Sequence, residues 1–130
     1  MHTSTKQQAE SAPAQFPVLV TIKTGHKVEL TYFDGKLEQQ PSLHLKVPCP
    51  TNCLFILDYE TSKSGWTITG TSTVGSSPSL AAMSGPMNLS LMTIDTYSDD
   101  GGDYRYFLHF TNPLTKDHFP FDPQETNVRS

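Results

Sequence analysis

Asp122-Pro123 is the residue pair with the most distinctive chemistry, and it is the only Asp-Pro bond in the chain. The Asp side chain can attack its own main-chain carbonyl carbon through a five-membered transition state and expel the proline nitrogen. That nitrogen carries three carbon substituents, so it accepts a proton more readily than an ordinary amide nitrogen does. A folded site could accelerate the reaction by supplying this proton and by stabilising the tetrahedral oxyanion. The alternative is that Phe121-Asp122-Pro123 only forms a turn.

Two further acids could assist such a reaction. Asp58 follows the apolar run CLFIL, and Asp95 follows the alternating run LSLMTI. If these carboxyls are partly buried, their pKa values should rise, which would make one of them a candidate proton donor. The alternative is that each strand simply leaves the core at its last residue.

Other kinds of site are not indicated. The sequence has no glycine-rich phosphate loop, HExxH, GxSxG or EF-hand pattern. The five histidines lie far apart, and no two have the i, i+2 spacing that would direct them to one metal ion. Cys49 and Cys53, in CPTNC, lack the CxxC spacing of a redox pair and are predicted to be thiols with a structural or incidental role. We therefore expect no cofactor and no metal.

Charge and hydropathy exclude two classes of partner. The formal net charge is -4, and the nine basic residues are spread along the chain, so nucleic acid is not an expected partner. No apolar stretch is long enough to span a membrane, and the first residues lack the apolar run of a signal peptide. The sequence therefore predicts a cytoplasmic protein without a membrane partner.

The elements that must position these residues are all predicted to be strands. Residues 1–16 are polar and predict a flexible arm, and residues 17–130 predict a single domain. Alternating apolar residues predict a hairpin across Thr24-Gly25-His26 and a second hairpin across the DDGGD turn at 99–103. Strands are expected near 18–22, 28–32, 43–47, 53–59, 66–73, 87–95, 103–110 and, as an edge strand, from Phe119 onwards, with a loop from about 74 to 86. This pattern favours an all-β sandwich of about seven or eight mostly antiparallel strands, with a partly open small barrel as the alternative.

The C-terminal segment TNPLTKDHFPFDPQ, with the strand DYRYFLHFTN before it, resembles the DP-EP family of small bacterial proteins. The late DPQ element of that family is matched by Asp122, Pro123 and Gln124. An earlier Glu-Pro gives the family the other half of its name. This chain has Glu38-Gln39-Gln40-Pro41 there, so nothing is carried over to those positions.

The resemblance implies a β-sandwich that is a self-cleaving, self-assembling endopeptidase of the aspartic type. Its site would be Asp122, Pro123 and Gln124, with Asp58 and Asp95 as candidate assisting acids. Asp122 would act as intramolecular nucleophile or general acid, and mildly acidic pH would favour the cut. The expected partner is the chain itself, in a homo-oligomer such as a trimer or a hexamer.

Two alternatives remain open at the level of sequence. The domain could be a non-enzymatic assembly module that uses exposed strand edges and the aromatic strand from Tyr104 to Phe110, with Asp-Pro as a turn. It could also be a carbohydrate-binding sandwich, because Trp66 and the tyrosines could offer aromatic rings to a sugar, although such rings are more often core.

Overall fold

The architecture is taken from a computed structural model of the chain. It describes residues 14–32, 39–40, 44–47, 51–74, 80–95, 103–122 and 124–127, with side chains described for 15–31, 51–73, 82–94 and 106–122. The strands are β1 (Ala14–Lys23), β2 (Lys27–Tyr32), β3 (Gln39–Gln40), β4 (His44–Val47), β5 (Thr51–Leu57), β6 (Thr67–Val74), β7 (Leu80–Ser84), β8 (Ser90–Asp95), β9 (Asp103–Asn112), β10 (Asp117–Phe121) and β11 (Gln124–Asn127). A short helix α1 (Tyr59–Lys63) follows β5, and a 3-10 turn (Pro86–Asn88) precedes β8.

The strands form two sheets. The first has the order β3-β2-β1-β5-β8-β7. The central strand of the second sheet is β9. It pairs with β6 on one side and with β10 and then β11 on the other, and β4 pairs with β11. Most pairs are antiparallel, but β1 with β5 and β4 with β11 are parallel. The predicted all-β sandwich is confirmed.

The core lies between the two sheets and follows strand alternation. In β5 every second residue is buried. Their paired neighbours Val18 and Val20 in β1 and Leu91 and Thr93 in β8 are buried as well. The second sheet supplies Ile68, Tyr106, Leu108, Phe110 and Phe119 to the same core. Cys53 is also buried there, as a structural thiol would be, whereas Cys49 lies outside the described residues.

The predicted first hairpin is confirmed, with β1 pairing antiparallel to β2 from Val18↔Tyr32 to Lys23↔Lys27. Gly25 and His26 in its turn both have positive φ, at 81° and 59°. The predicted hairpin across DDGGD is wrong, because β8 pairs with β5 and β7 whereas β9 belongs to the other sheet. Between Asp95 and Asp103 the chain therefore passes from one sheet to the other, and local turn chemistry does not specify which strands pair.

Several element boundaries also differ from the prediction. The predicted arm extends too far, because β1 begins at Ala14 and pairs there with Thr51. The predicted loop of residues 74–86 contains β7, an edge strand of the first sheet. Tyr59, predicted to end a strand, instead begins α1, since the side chain of Asp58 caps a helix at that point.

Candidate functional site

The segment before the Asp-Pro bond is anchored in the core. Phe119 in β10 is 9% exposed, and its ring stacks on His26 at 4.3 Å between centroids and lies 5.4 Å from Phe110. Phe121 is half-buried and lies 6.5 Å from the ring of Phe110. Pro120 lies between them on the exposed side, and β10 has only β9 as a neighbour among the described strands. Because a proline cannot donate to a sheet ladder, an edge strand is where it is tolerated.

The segment after the bond continues the same strand pairing. Phe121 pairs with Leu108, and Gln124 pairs with Arg105, so two residues separate the pairs on each side. The register is therefore continuous, and β10 and β11 run along one edge of β9 as a single interrupted strand. Asp122 itself belongs to neither strand, and Pro123 lies outside the described residues. The sequence predicted an edge strand from Phe119 onwards. This is wrong for β11, which is an internal strand because it lies between β9 and β4.

Asp122 therefore lies at the one break in this strand, about midway along β9. The residue is half-buried, and its Oδ1 atom is shielded from solvent. Gln124, two residues later, has its backbone paired with both Arg105 and His44, while its side chain lies outside the described part. Asp122 thus lies between two paired stretches of main chain, β10 before it and β11 after it.

Asp58 has a structural role that the sequence did not predict. Its Oδ1 accepts a hydrogen bond of 2.8 Å from the backbone N–H of Thr61, as the N-cap of α1, and its Oδ2 accepts one from the hydroxyl of Thr21. Partial burial acts to raise the pKa of Asp58, but the hydrogen bonds from Thr21 and Thr61 together outweigh it and hold the pKa below its ordinary value. The expected rise in pKa is therefore wrong for Asp58, which is a poor proton donor.

Asp95 lies at the opposite end of the first sheet. Its Cα pairs with Thr51, the first residue of β5, whereas Asp58 follows the last residue of that strand. Seven residue steps at about 3.3 Å each separate the two ends by roughly 23 Å. The side chain of Asp95 lies outside the described part. Asp58 and Asp95 are thus not brought together, and both belong to the sheet that does not contain Asp122.

A cleft lies at the end of the sandwich where α1 packs, and the sequence did not predict it. Its volume is about 370 Å³, and its wall includes His26, Ser64, Trp66, Asn112 and Asp117. The Nε2 atom of His26 lies 2.6 Å from Oδ2 of Asp117, so the pair joins the β1–β2 turn to the start of β10. The pKa of Asp117 lies below its ordinary value, and the largest cause is this hydrogen bond from His26.

Two turns fix the shape of this cleft. Asn112 is buried, and its Oδ1 accepts hydrogen bonds from the backbone N–H groups of Leu114 and Thr115 while its Nδ2 donates to the carbonyl of Ser64. Gly65 has φ +102°, and a Cβ there would lie 2.7 Å from both Asn112 and Leu114. Gly65 and Asn112-Pro113 indicate these turns in the sequence. Nothing in the sequence near residue 26 or residue 117 indicates that the two meet.

At the surface, the Nε2 atom of His109 lies 2.7 Å from the hydroxyl of Ser72. No group of three or more metal-ligating side chains occurs within the described ranges. Among those residues there is also no helix with the length and hydropathy to cross a bilayer.

The chain matches no protein-family model, and no curated protein is similar to it at a significant level. The resemblance to the DP-EP family, and the activity that it implies, therefore stay predictions.

Proposed function

We propose that the protein cleaves its own Asp122-Pro123 bond, and that the cleaved or intact chain assembles with copies of itself. The observation that supports this most is the interrupted strand. β10 is fixed by Phe119 in the core, and β11 is fixed by pairing with two strands, so the chain between them is short and held from both sides. Holding the reacting groups in this way lowers the entropic cost of an intramolecular attack.

The chemistry uses the side chain of Asp122 on its own main-chain carbonyl. One carboxyl oxygen bonds to the carbonyl carbon and forms a tetrahedral intermediate, whose C–N bond then breaks. The nitrogen of Pro123 leaves as a secondary amine after taking up one proton, and Asp122 is left as a cyclic anhydride. Water opens the anhydride to two carboxyl groups, so the net reaction is hydrolysis of one peptide bond.

Acidic pH matters at the step in which the leaving nitrogen of Pro123 takes up a proton. The amine leaves more readily once its nitrogen is protonated, and a neutral carboxylic acid at mildly acidic pH can supply that proton. Asp58 is not the donor in this proposal, because its carboxyl oxygens accept hydrogen bonds from Thr61 and Thr21. In this proposal the proton comes from the neutral carboxyl group of Asp122 itself, whose Oδ1 is shielded from solvent, and it passes to the nitrogen of Pro123 as the C–N bond breaks.

Assembly follows from what the cut would do to β11. After scission, residues 124–127 would no longer be joined to β10 by the chain, and their backbone pairing with β9 and β4 would remain. If this strand leaves, both neighbours expose unpaired N–H and C=O groups, which pair readily with a strand of another copy. This proposal places the contact between copies at the unpaired strand edges rather than at the rings of Tyr106 and Phe110, which are buried in the core.

Intact mass spectrometry tests the proposal. Purified protein would be held for days at about pH 5, where a carboxylic acid can deliver a proton, and at about pH 7, beside Asp122→Ala. We expect the wild type to lose the eight-residue peptide PQETNVRS at acidic pH, and the variant to stay whole. A wild-type chain that stays whole at both pH values would refute the proposal.

Dilution distinguishes two forms of the reaction. A cut within one chain has the same fractional rate at every protein concentration. A cut made between subunits slows when the oligomer dissociates. The attack of Asp122 on its own carbonyl predicts a rate that does not change with dilution.

A further inference from the structure

The cleft beside His26 lies apart from the Asp-Pro bond and has no role in the proposed cleavage. It lies at Asp117, the first residue of β10, whereas Asp122 lies five residues further along. At about 3.3 Å per residue the two positions are roughly 17 Å apart. With a volume of about 370 Å³, the cleft is near the lower end of the roughly 300–1,000 Å³ typical of small-molecule sites.

An aromatic ring forms part of the wall and is held in place by its neighbours. Trp66 is half-buried, and its ring meets those of His26 and Phe119 edge to face, at centroid distances of 6.2 Å and 5.4 Å. His26 in turn stacks on Phe119 at 4.3 Å. A ring packed on two sides has little rotational freedom left to lose, so a ligand that contacts it incurs a smaller entropic cost.

The polar groups around this ring offer hydrogen bonds but little net charge. His26 and Asp117 bind each other and are 43% and 44% exposed, so both remain within reach of a ligand. The ammonium of Lys23 lies 3.0 Å from Glu29, which offsets its charge. Thr24 and Thr115 add exposed hydroxyl groups to the rim. Such a lining suits a neutral ligand with many hydroxyls better than a strongly charged one.

From this combination we infer that the cleft binds a pyranose sugar, either free or as part of an oligosaccharide. The C–H face of a pyranose is apolar and packs on an aromatic ring, while its hydroxyls both donate and accept hydrogen bonds. Asp117 accepts from two adjacent hydroxyls, and the rim hydroxyls of Thr24 and Thr115 serve as donors or acceptors. Trp66 provides the apolar contact, and the small volume limits binding to one or two rings.

Fluorescence tests this inference directly, because Trp66 is the only tryptophan of the chain and lies in the cleft. Glucose, galactose, mannose, xylose and N-acetylglucosamine would be titrated as monosaccharides and as their β-1,4-linked tetramers. We expect a saturable change in emission for at least one sugar below about 10 mM. The monosaccharide and tetramer arms show whether one ring is enough. Inorganic phosphate serves as a charged probe and should have no effect.

Variants and a second readout connect the signal to the cleft. Saturation-transfer NMR follows sugar protons and does not depend on the tryptophan. Thr115→Arg, on the exposed rim, should block the cleft without disturbing the core, and Asp117→Asn should weaken binding about tenfold or more. Tyr59→Ala is the matched control, since Tyr59 is an aromatic residue that is 73% exposed and lies outside the cleft. No saturable binding of any sugar, phosphate binding in place of sugar binding, or sugar binding that survives Thr115→Arg would each overturn the inference.

Discussion

Replacing Asp58 distinguishes a structural carboxylate from one that assists the reaction. Asp58→Ala removes the N-cap of α1 and the acceptor for the hydroxyl of Thr21. Loss of a cap costs about 1–2 kcal/mol. For 130 residues the entropy of unfolding scales to about 0.27 kcal/mol/K, so the melting temperature should fall by about 4–7 °C. Asp58→Asn keeps a side chain that can cap, and it should lose less.

The pH dependence of that loss follows from the lowered pKa of Asp58. Because the folded-state pKa lies below the ordinary value of 3.8, the ionised carboxylate stabilises the fold above that value. This stabilisation is lost as the pH falls through the folded-state pKa, so wild type and Asp58→Asn should converge there. Thermal and urea unfolding at pH values from about 7 down to about 3 measure this. The structural role of Asp58 would be refuted if Asp58→Ala unfolded like the wild type at neutral pH. It would also be refuted if Asp58→Asn lost most of the scission at Asp122-Pro123.

Three further outcomes are expected. Phe119→Ala should lower the free energy of unfolding by about 3–5 kcal/mol, because the ring is buried at the point where the cleft meets the core; a loss below about 1 kcal/mol in urea unfolding would contradict this packing. Gly65→Ala should be more destabilising than Gly25→Ala in the same assay, since both have positive φ but only the first would place a Cβ 2.7 Å from other side chains; equal losses would contradict this geometry. His26→Ala should raise the pKa of Asp117 toward its usual value, followed by NMR titration of the carboxyl carbon, and an unchanged pKa would mean that the pair does not form in solution.

The alternation of apolar and polar residues predicted the sandwich, because every second side chain of a strand with one buried face points into the core. It failed for β7, whose residues Ala82, Met83 and Ser84 are all exposed at a sheet edge and so carry no such pattern. It also could not predict strand partners. The segments before and after DDGGD both read as strands, yet they belong to different sheets.

The candidate sites show the same division between local and distant signals. Asp122-Pro123 is visible in the sequence because its chemistry is local, and the structure adds that the strand register continues across it. The His26–Asp117 pair joins residues 91 positions apart, so nothing local could reveal it. Asp58 was correctly placed after the end of a strand, but its pKa depends on Thr21 and Thr61, which the sequence alone does not place beside it.

Self-cleavage by Asp122 is tested by comparing the intact mass of the wild type and of Asp122→Glu at about pH 5 over several days. Glutamate keeps the carboxyl group but needs a six-membered ring to reach its own carbonyl, so intramolecular attack should be much slower. We expect the wild type to release PQETNVRS while the glutamate variant stays largely whole. A wild-type chain that remains intact, or equal rates of release from both proteins, would contradict attack by Asp122 on its own carbonyl.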